Sequence, residues 1–168
     1  MTDTLPLAKV KAVYDELGRW QDTQAFYEQP AKEALIAHAE FEAATSVLEI
    51  GGGTGRFAEQ LLDGPLPPEA RYHGLELSTT MVALSRERLA RFGTRLTVAP
   101  TSGRPPFSVA ANAMDRVVVN YVFDLLSPED TRALLDEAQR VLRPGGRLCV
   151  ASLTEGRGPV TRLVSRAW

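Results

Sequence analysis

The sequence predicts a three-layer αβα sandwich, built on a doubly wound, mostly parallel sheet that follows a helical extension. Three observations lead to this fold class. Short apolar runs alternate with amphipathic stretches from residue 46 onward, a glycine-rich turn follows the first of these runs, and three consecutive valines, 117–119, fill a later one. Parallel strands are covered on both faces and therefore read as continuous apolar runs.

Size and composition suit a globular protein. The 168 residues allow a helical extension over residues 1–45 and a sheet core over residues 46–168. Hydrophobic residues make up 44% of the chain and charged residues 24%, and the net charge of −2 gives no general attraction to nucleic acid or membranes. We see neither a signal peptide nor the ~18 apolar residues that span a bilayer. We therefore expect a cytoplasmic protein without a membrane partner.

Cysteine and histidine offer little chemistry here. Cys149 is the only cysteine, which excludes a disulfide within the chain and a cysteine metal cluster. It falls inside a predicted strand, where a thiol is buried and inert. His38 and His73 are isolated in the sequence, and we assign neither a role. We therefore expect no metal site.

Helical spacing predicts two helices ahead of the sheet. The first covers Leu7–Leu17 and stops near Gly18, and the second covers Pro30–Ala44. The segment between them, Trp20–Tyr27, is rich in aromatic residues. These rings add buried area wherever they sit, so they could simply pack the helices onto the sheet.

The first strand, Val47–Ile50, leads into glycines 51, 53 and 55 and then into a helix over Arg56–Leu62. Glycine lets the backbone turn sharply and approach a ligand, and the free N–H groups of the helix start can bind a polar group. The dinucleotide pattern G-x-G-x-x-G fails in one register at Arg56. In the next register it ends on Ala58, a tolerated variant, so a dinucleotide site remains open.

The second strand, Arg71–Leu77, ends with an acidic residue, Glu76, which follows Gly55 by 21 positions. A carboxylate at this place can accept hydrogen bonds from both hydroxyls of a ribose. Ser78 is a plausible N-cap for the next helix. The combination of glycine turn and spaced acid predicts a site for a nucleoside-containing ligand.

The second half of the chain completes the predicted sheet. A third strand covers Leu96–Ala99 before a turn at 100–106, and a fourth covers Asp115–Asn120. Ligands of open parallel sheets bind beyond the carboxyl ends of the strands, so Asn120, Tyr121 and Asp124 are candidates for ligand contacts. Ser127 is a plausible N-cap for a helix over Ser127–Leu142. The remaining predicted elements are a turn at Arg143–Gly146, a fifth strand over Arg147–Ser152, a loop over Thr154–Gly158 and a helix over Pro159–Trp168.

Three motifs carry a resemblance to a known family. Glu49-x-Gly51-x-Gly53-x-Gly55 resembles motif I of the class I S-adenosylmethionine (SAM) dependent methyltransferases, which have a Rossmann-like sheet. Glu76-Leu77-Ser78-x-x-Met81 resembles the junction after their second strand. The block Arg140–Leu148, with its R-x-L-x-P-G-G pattern, resembles their element before the fifth strand and discriminates best against dehydrogenases. The resemblance covers about Ser46 to Thr154 and is closest to methyltransferase types 11 and 25.

The resemblance implies a cofactor, SAM, with S-adenosylhomocysteine as product, and methyl transfer by in-line displacement. It also implies that the extension folds over the cofactor as a lid. Where the family usually has an aspartate for the adenine amino group, this chain has Thr101 and Ser102, which would accept that hydrogen bond weakly. The implied cofactor-binding residues are Glu49, Gly51, Gly53, Gly55, Glu76, Leu77, Met81, Thr101, Ser102 and Asn120.

The acceptor is not specified by any motif. The fourth strand does not end in the Asn/Asp-Pro-Pro-aromatic segment of amino-group DNA methyltransferases, and Cys149 lacks the preceding proline of cytosine C5 enzymes. We therefore expect a small-molecule substrate and no nucleic acid. The catalytic residue is unknown, since the hard chemistry belongs to the cofactor, with Tyr121 and Asp124 as candidates.

Two other functions stay open from the sequence. One is an NAD(P)-dependent oxidoreductase, although no Tyr-x-x-x-Lys pair is present. The other is a non-catalytic SAM-binding module, since only five of the seven strands of the family core are found. An uncovered sheet edge invites pairing with another chain, so a homodimer or edge-strand pairing is an expected assembly.

Overall fold

The computed structural model describes residues 6–152, apart from the side chains of residue 19 and residues 23–27. The extension consists of helix α1 (Leu7–Leu17), a 3₁₀ segment (Gly18–Gln24) and helix α2 (Ala25–His38). The predicted start of α2 at Pro30 is wrong, because Pro30 lies inside the helix. Proline removes only its own N–H donor, and the helix continues on both sides of it. The predicted loop and helix after residue 153 fall outside the described residues.

The core is a five-stranded sheet in the order β3-β2-β1-β4-β5, and every neighbouring pair is parallel. Strand β1 is central: its Leu48 pairs with His73 of β2 and with Val117 of β4. The strands are β1 (Ser46–Ile50), β2 (Arg71–Glu76), β3 (Leu96–Pro100), β4 (Met114–Asn120) and β5 (Leu142–Ala151).

Three helices connect the strands: α3 (Arg56–Asp63), α4 (Thr79–Leu89) and α5 (Pro128–Val141). Hydroxyls cap two of them as predicted, since Ser78 Oγ accepts from the Met81 N–H and Ser127 Oγ accepts from the Asp130 N–H. Short 3₁₀ turns cover Phe41–Ala43, Ala90–Arg95 and Phe123–Leu125.

Apolar side chains cover both faces of the sheet, which confirms the predicted three-layer, doubly wound Rossmann-like fold. Val117 and Val119 of β4 pack with α5 residues such as Leu134. Val118 points to the opposite face, where it joins residues of α3 and α4 such as Leu61. The three consecutive valines are all fully buried, as a strand covered on both sides requires.

The Pro-Gly-Gly block is not a simple turn between α5 and β5. Strand β5 begins at Leu142, which pairs with Met114, but the next paired residue is Arg147, opposite Arg116. The predicted turn is therefore an irregular segment within the strand, where extra residues are accommodated between two pairing points. Gly145, with φ +81°, supplies the left-handed conformation that this segment needs.

No helix among residues 6–152 has both the length and the apolar character that crossing a membrane requires.

Candidate functional site

A cleft opens at the carboxyl ends of β1, β2 and β4, on the side where α1, the 3₁₀ segment 18–24 and α2 lie over the sheet. Its walls combine the glycine turn, the residues that follow the strands, and polar side chains of the extension. This is the place where open parallel sheets bind their ligands. The predicted candidates that line the cleft are Glu49, Gly51, Gly53, Glu76, Leu77, Thr101, Asn120 and Tyr121.

The glycines of the turn serve different purposes. All three predicted glycines have positive φ, between +53° and +80°. A Cβ on Gly51 would lie 2.4 Å from Val122 Cγ2, and one on Gly53 would lie 2.7 Å from Gln21 Oε1, so both positions adjoin the cleft. A Cβ on Gly55 would instead meet Ser85 Oγ at 2.5 Å. Gly55 does not line the cleft, and its lack of a side chain allows α3 and α4 to pack together.

Glu76 is held by the backbone at the end of β2. Its Oε2 accepts a hydrogen bond of 2.9 Å from the Gly53 N–H, and its Oε1 accepts one of 2.8 Å from the Ser78 N–H. Burial raises the pKa of Glu76, while these two hydrogen bonds act in the opposite direction. Each carboxylate oxygen has a second acceptor position. The Leu77 N–H also acts on this carboxylate, and the remaining acceptor capacity is available to hydrogen bonds from a ligand in the cleft.

Glu49 is a second buried acid at the cleft. The hydroxyl of Tyr72 donates a hydrogen bond of 2.6 Å to its Oε2. Burial raises the pKa of Glu49, with the Tyr72 hydrogen bond and the charge of Lys32 opposing that rise. The same carboxylate packs against the glycine turn, since a Cβ on Gly52 would lie only 2.9 Å from Glu49 Oε2.

The end of β4 presents an amide without protein partners. Asn120 is 8% exposed, and neither its Oδ1 nor its Nδ2 forms a hydrogen bond with the described residues. A buried carboxamide without partners costs free energy. Because Asn120 also lines the cleft, the geometry suits a ligand that offers it both a donor and an acceptor.

Tyr121 follows in the left-handed conformation, with φ +57°, which turns the chain at the cleft. Lys32 of α2 lies over its ring, with Nζ 5.8 Å from the ring centre. The same Nζ forms an ion pair of 2.6 Å with Glu28, and both side chains of that pair are less than one-sixth exposed. Tyr121 is thus placed between the sheet and the extension.

Four predicted site residues lie outside the cleft lining. Met81 is fully buried in the core, and Gly55 packs against α4. The hydroxyl of Ser102 bonds with the backbone of Arg104, whereas Thr101 beside it does line the cleft. Asp124 is exposed and accepts a hydrogen bond of 2.6 Å from Ser152 Oγ.

Sequence reasoning missed the polar residues that the extension brings to the cleft. They come from three helical segments that precede the motifs, and only the family resemblance implied that this extension covers the site. Among the described residues, no group of three or more His, Cys, Asp or Glu side chains could hold a metal ion. The missed lining residues are Lys11, Tyr14, Gln21, Asp22, Glu28, Gln29 and Lys32.

Comparison with known proteins agrees with these features. A family described as "Methyltransferase domain" matches residues 47–146, which is more than half of the chain. The malonyl-[acyl-carrier protein] O-methyltransferase of Marinomonas sp. is 30% identical over 156 residues, which cover 92% of this chain and 54% of that protein. The demethylmenaquinone methyltransferase of Tropheryma whipplei is 32% identical over 127 residues, 74% of this chain and 49% of that protein. The chain thus spans about half the length of these relatives.

Solved structures share the fold at lower identity. An O-methyltransferase family protein from Burkholderia thailandensis superposes with a TM-score of 0.73 and 21% identity, covering 88% of this chain and 44% of that one. The phosphoethanolamine N-methyltransferase 1 of Haemonchus contortus was solved in complex with phosphoethanolamine and S-adenosylhomocysteine. It superposes with a TM-score of 0.73 and 19% identity, covering 91% of this chain and 32% of that one. These similarities show that the fold is shared. The match of residues 47–146 to the methyltransferase domain favours the methyltransferase interpretation over the dehydrogenase one. The chain belongs to the methyltransferase domain family.

Proposed function

We propose that this chain binds SAM in the cleft and transfers its methyl group to a small-molecule acceptor. One observation carries the cofactor assignment: the cleft combines a carboxylate fixed by two backbone N–H groups, Glu76, with a buried amide that lacks partners, Asn120. The ribose hydroxyls of SAM are donors for the first, and its amino-acid end offers both donors and acceptors for the second. Gly51 and Gly53 adjoin the cleft, and a Cβ at these positions would lie 2.4 Å from Val122 Cγ2 or 2.7 Å from Gln21 Oε1, so the backbone of this wall requires glycine.

These positions support the following roles for the residues of the chain. Glu76 accepts the ribose hydroxyls, Leu77 and Thr101 border the adenine, and Gly51, Gly53 and Glu49 form the wall beside the methionine portion. Met81, Ser102 and Gly55 act from outside the lining, by packing or by shaping the loops. When bound, SAM supplies an electrophilic methyl group on a sulfonium. The protein has to orient the acceptor in line with that methyl and keep water out.

Tyr121 is our candidate for contacting the acceptor. It lines the cleft where β4 ends, and the apolar residues Val122, Leu125 and Leu126 continue the same wall. Asp124 is exposed outside this wall, which leaves it a weaker candidate for a base. The relatives named above act, by their names, on a malonyl-[acyl-carrier protein] and on a demethylmenaquinone. An apolar wall beside a tyrosine supports an acceptor that is itself largely apolar.

Methyl transfer is tested by following S-adenosylhomocysteine formation from SAM with a panel of carboxylate, phenol and quinol acceptors. We expect formation with at least one class, and a loss of about tenfold or more in Tyr121→Ala if this residue orients the acceptor. SAM binding without turnover on any acceptor would support a non-catalytic SAM-binding module instead. If the protein shows neither SAM binding nor turnover, the proposal is overturned.

Assembly and location are further predictions. Among the described strands, β3 and β5 each pair on one side only, which supports our prediction of a homodimer or edge-strand pairing. Sedimentation equilibrium measures it directly, and a monomer across the accessible concentrations would refute it. The expected cytoplasmic location also stays a prediction, for which fractionation of cells is the test.

A further inference from the structure

One carboxylate joins the extension to the glycine turn and to α4. Asp22 Oδ1 accepts a hydrogen bond of 2.6 Å from Thr54 Oγ1, and Asp22 Oδ2 accepts one of 2.5 Å from Arg88 Nη2. Arg88 Nη1 also donates to Thr54 Oγ1 at 2.9 Å, which closes a three-membered cluster. Thr54 is 5% exposed and lies within the glycine turn itself. Segment 18–24 is therefore tied directly to the turn that forms the cleft wall.

The charges of this cluster are well matched. Partial burial acts to raise the pKa of Asp22, but hydrogen bonds from Arg88 and Thr54 outweigh it, and the net pKa is lowered. The carboxylate is therefore ionised at neutral pH and pairs with the Arg88 guanidinium. An ion pair supported by hydrogen bonds on both sides holds a segment more firmly than an isolated surface pair.

The neighbour of Asp22 projects its amide toward the cleft. Gln21 lines the cleft, and its Oε1 and Nε2 lie 2.7 Å and 3.0 Å from the position of a Cβ on Gly53. Its Oε1 is buried and has no hydrogen-bond partner among the described residues. An unpaired buried acceptor is costly, and here it is directed at the turn beside which we place the methionine portion of SAM.

We propose that Gln21 binds the amino-acid end of SAM through its carboxamide and that Asp22 is the positioning residue that holds it there. This inference rests on the proposed function and assigns two residues outside every motif. Gln21 Oε1 accepts from the α-ammonium of the ligand, and the Nε2 group of the same amide is a donor that suits its carboxylate. The hydrogen bonds are charge-assisted, which makes them stronger than neutral ones.

Two ligands separate this role from a general effect on the cleft. S-adenosylhomocysteine carries the adenosine and the amino-acid end, whereas 5′-methylthioadenosine keeps the adenosine and the thioether sulfur but lacks the amino-acid end. Calorimetric titration of both into wild type and Gln21→Ala isolates the contribution of the amino-acid end. We expect Gln21→Ala to raise the Kd for S-adenosylhomocysteine about tenfold and to change the Kd for methylthioadenosine less than about twofold.

Asp22→Asn tests the positioning role, and the chain offers a matched control. Asp63 and Arg91 form a similar aspartate–arginine pair between α3 and the residues after α4, away from the cleft lining. We expect Asp22→Asn to raise the Kd for S-adenosylhomocysteine about fivefold and to leave the Kd for methylthioadenosine unchanged. Asp63→Asn should change neither Kd. Thermal melting of each variant confirms that it is folded.

The outcomes are distinct. Equal weakening of both ligands in Gln21→Ala, or no weakening of either, would overturn this inference while the proposed function stands. Weakening by Gln21→Ala but not by Asp22→Asn would overturn the positioning role of Asp22. If wild type binds neither ligand, the proposed function itself fails, and this inference with it.

Discussion

Replacing Gly55 with alanine should destabilise the fold without acting on the cleft directly. Gly55 has φ +80°, and an alanine Cβ there would lie 2.5 Å from Ser85 Oγ and 2.9 Å from Leu89 Cδ1. The left-handed conformation costs a non-glycine residue about 1 kcal/mol. Crowding a packed contact between helices adds about 2 kcal/mol. The expected loss in the free energy of unfolding is therefore about 3 kcal/mol.

Gly93 provides the matched control for this substitution. It also has positive φ, at +57°, but a Cβ there would meet nothing within 4 Å. Gly93→Ala should therefore cost only the conformational part, about 1 kcal/mol. Ser85→Ala in the Gly55→Ala background removes the nearest clashing atom and should recover part of the crowding energy.

Urea denaturation at constant pH measures these differences. The midpoint should fall in the order wild type, Gly93→Ala, Gly55→Ala, and the Ser85→Ala double variant should lie between the last two. In thermal melts, about 3 kcal/mol corresponds to a decrease of roughly 10 °C for a chain of this size. Equal losses of unfolding free energy in Gly55→Ala and Gly93→Ala would refute the packing argument.

Three further predictions concern the polar contacts of the core. Burial acts to raise the pKa of Asp115, but hydrogen bonds from Thr45, Ser46 and Arg143 outweigh that effect. The net result is a pKa of about 2, lowered from 3.8. Its stabilisation, at most about 2.5 kcal/mol and about 1 after screening by water, is present above pH 4 and lost as the pH falls toward 2. Denaturation of Asp115→Asn at pH 7 and pH 3 should show a difference from wild type that shrinks at the lower pH, and a constant difference would contradict it. Arg116→Met should lose about 2–3 kcal/mol, because it removes 2.6 Å and 2.7 Å bonds to the carbonyls of residues 39 and 40; denaturation that matches wild type would contradict it. Tyr72→Phe should cost about 1–3 kcal/mol, because it removes the 2.6 Å hydrogen bond that the buried carboxyl of Glu49 accepts; an unfolding midpoint equal to that of wild type would count against it.

Local rules predicted much of this fold from the sequence. The valines of β4 and the short run of β1 were identified because a strand buried on both faces has to be apolar throughout. Ser78 and Ser127 were recognised as plausible caps because hydroxyls satisfy free N–H groups at a helix start. The acid at Glu76 was placed by its spacing from the glycines, and it does contact Gly53.

Long-range packing explains what the sequence could not show. Gly55 looked like its neighbours in the motif, but only the fold reveals that Ser85, thirty positions later, lies against it. Asp22 and Arg88 are separated by 66 positions, so no local sequence pattern predicts their ion pair. Pro30 is a typical helix start, but α2 begins five residues earlier at Ala25 and continues past the proline, so a rule based on proline alone misplaces the start.

Calorimetric titration of SAM into wild type, Glu76→Gln and Glu69→Gln tests the central claim most directly. Glu69 is an exposed acid outside the cleft lining and serves as the control. We predict that wild type and Glu69→Gln bind SAM equally, that Glu76→Gln binds it about tenfold or more weakly, and that NADH does not bind. Undiminished SAM binding in a folded Glu76→Gln variant, or binding of NADH in place of SAM, would contradict the account.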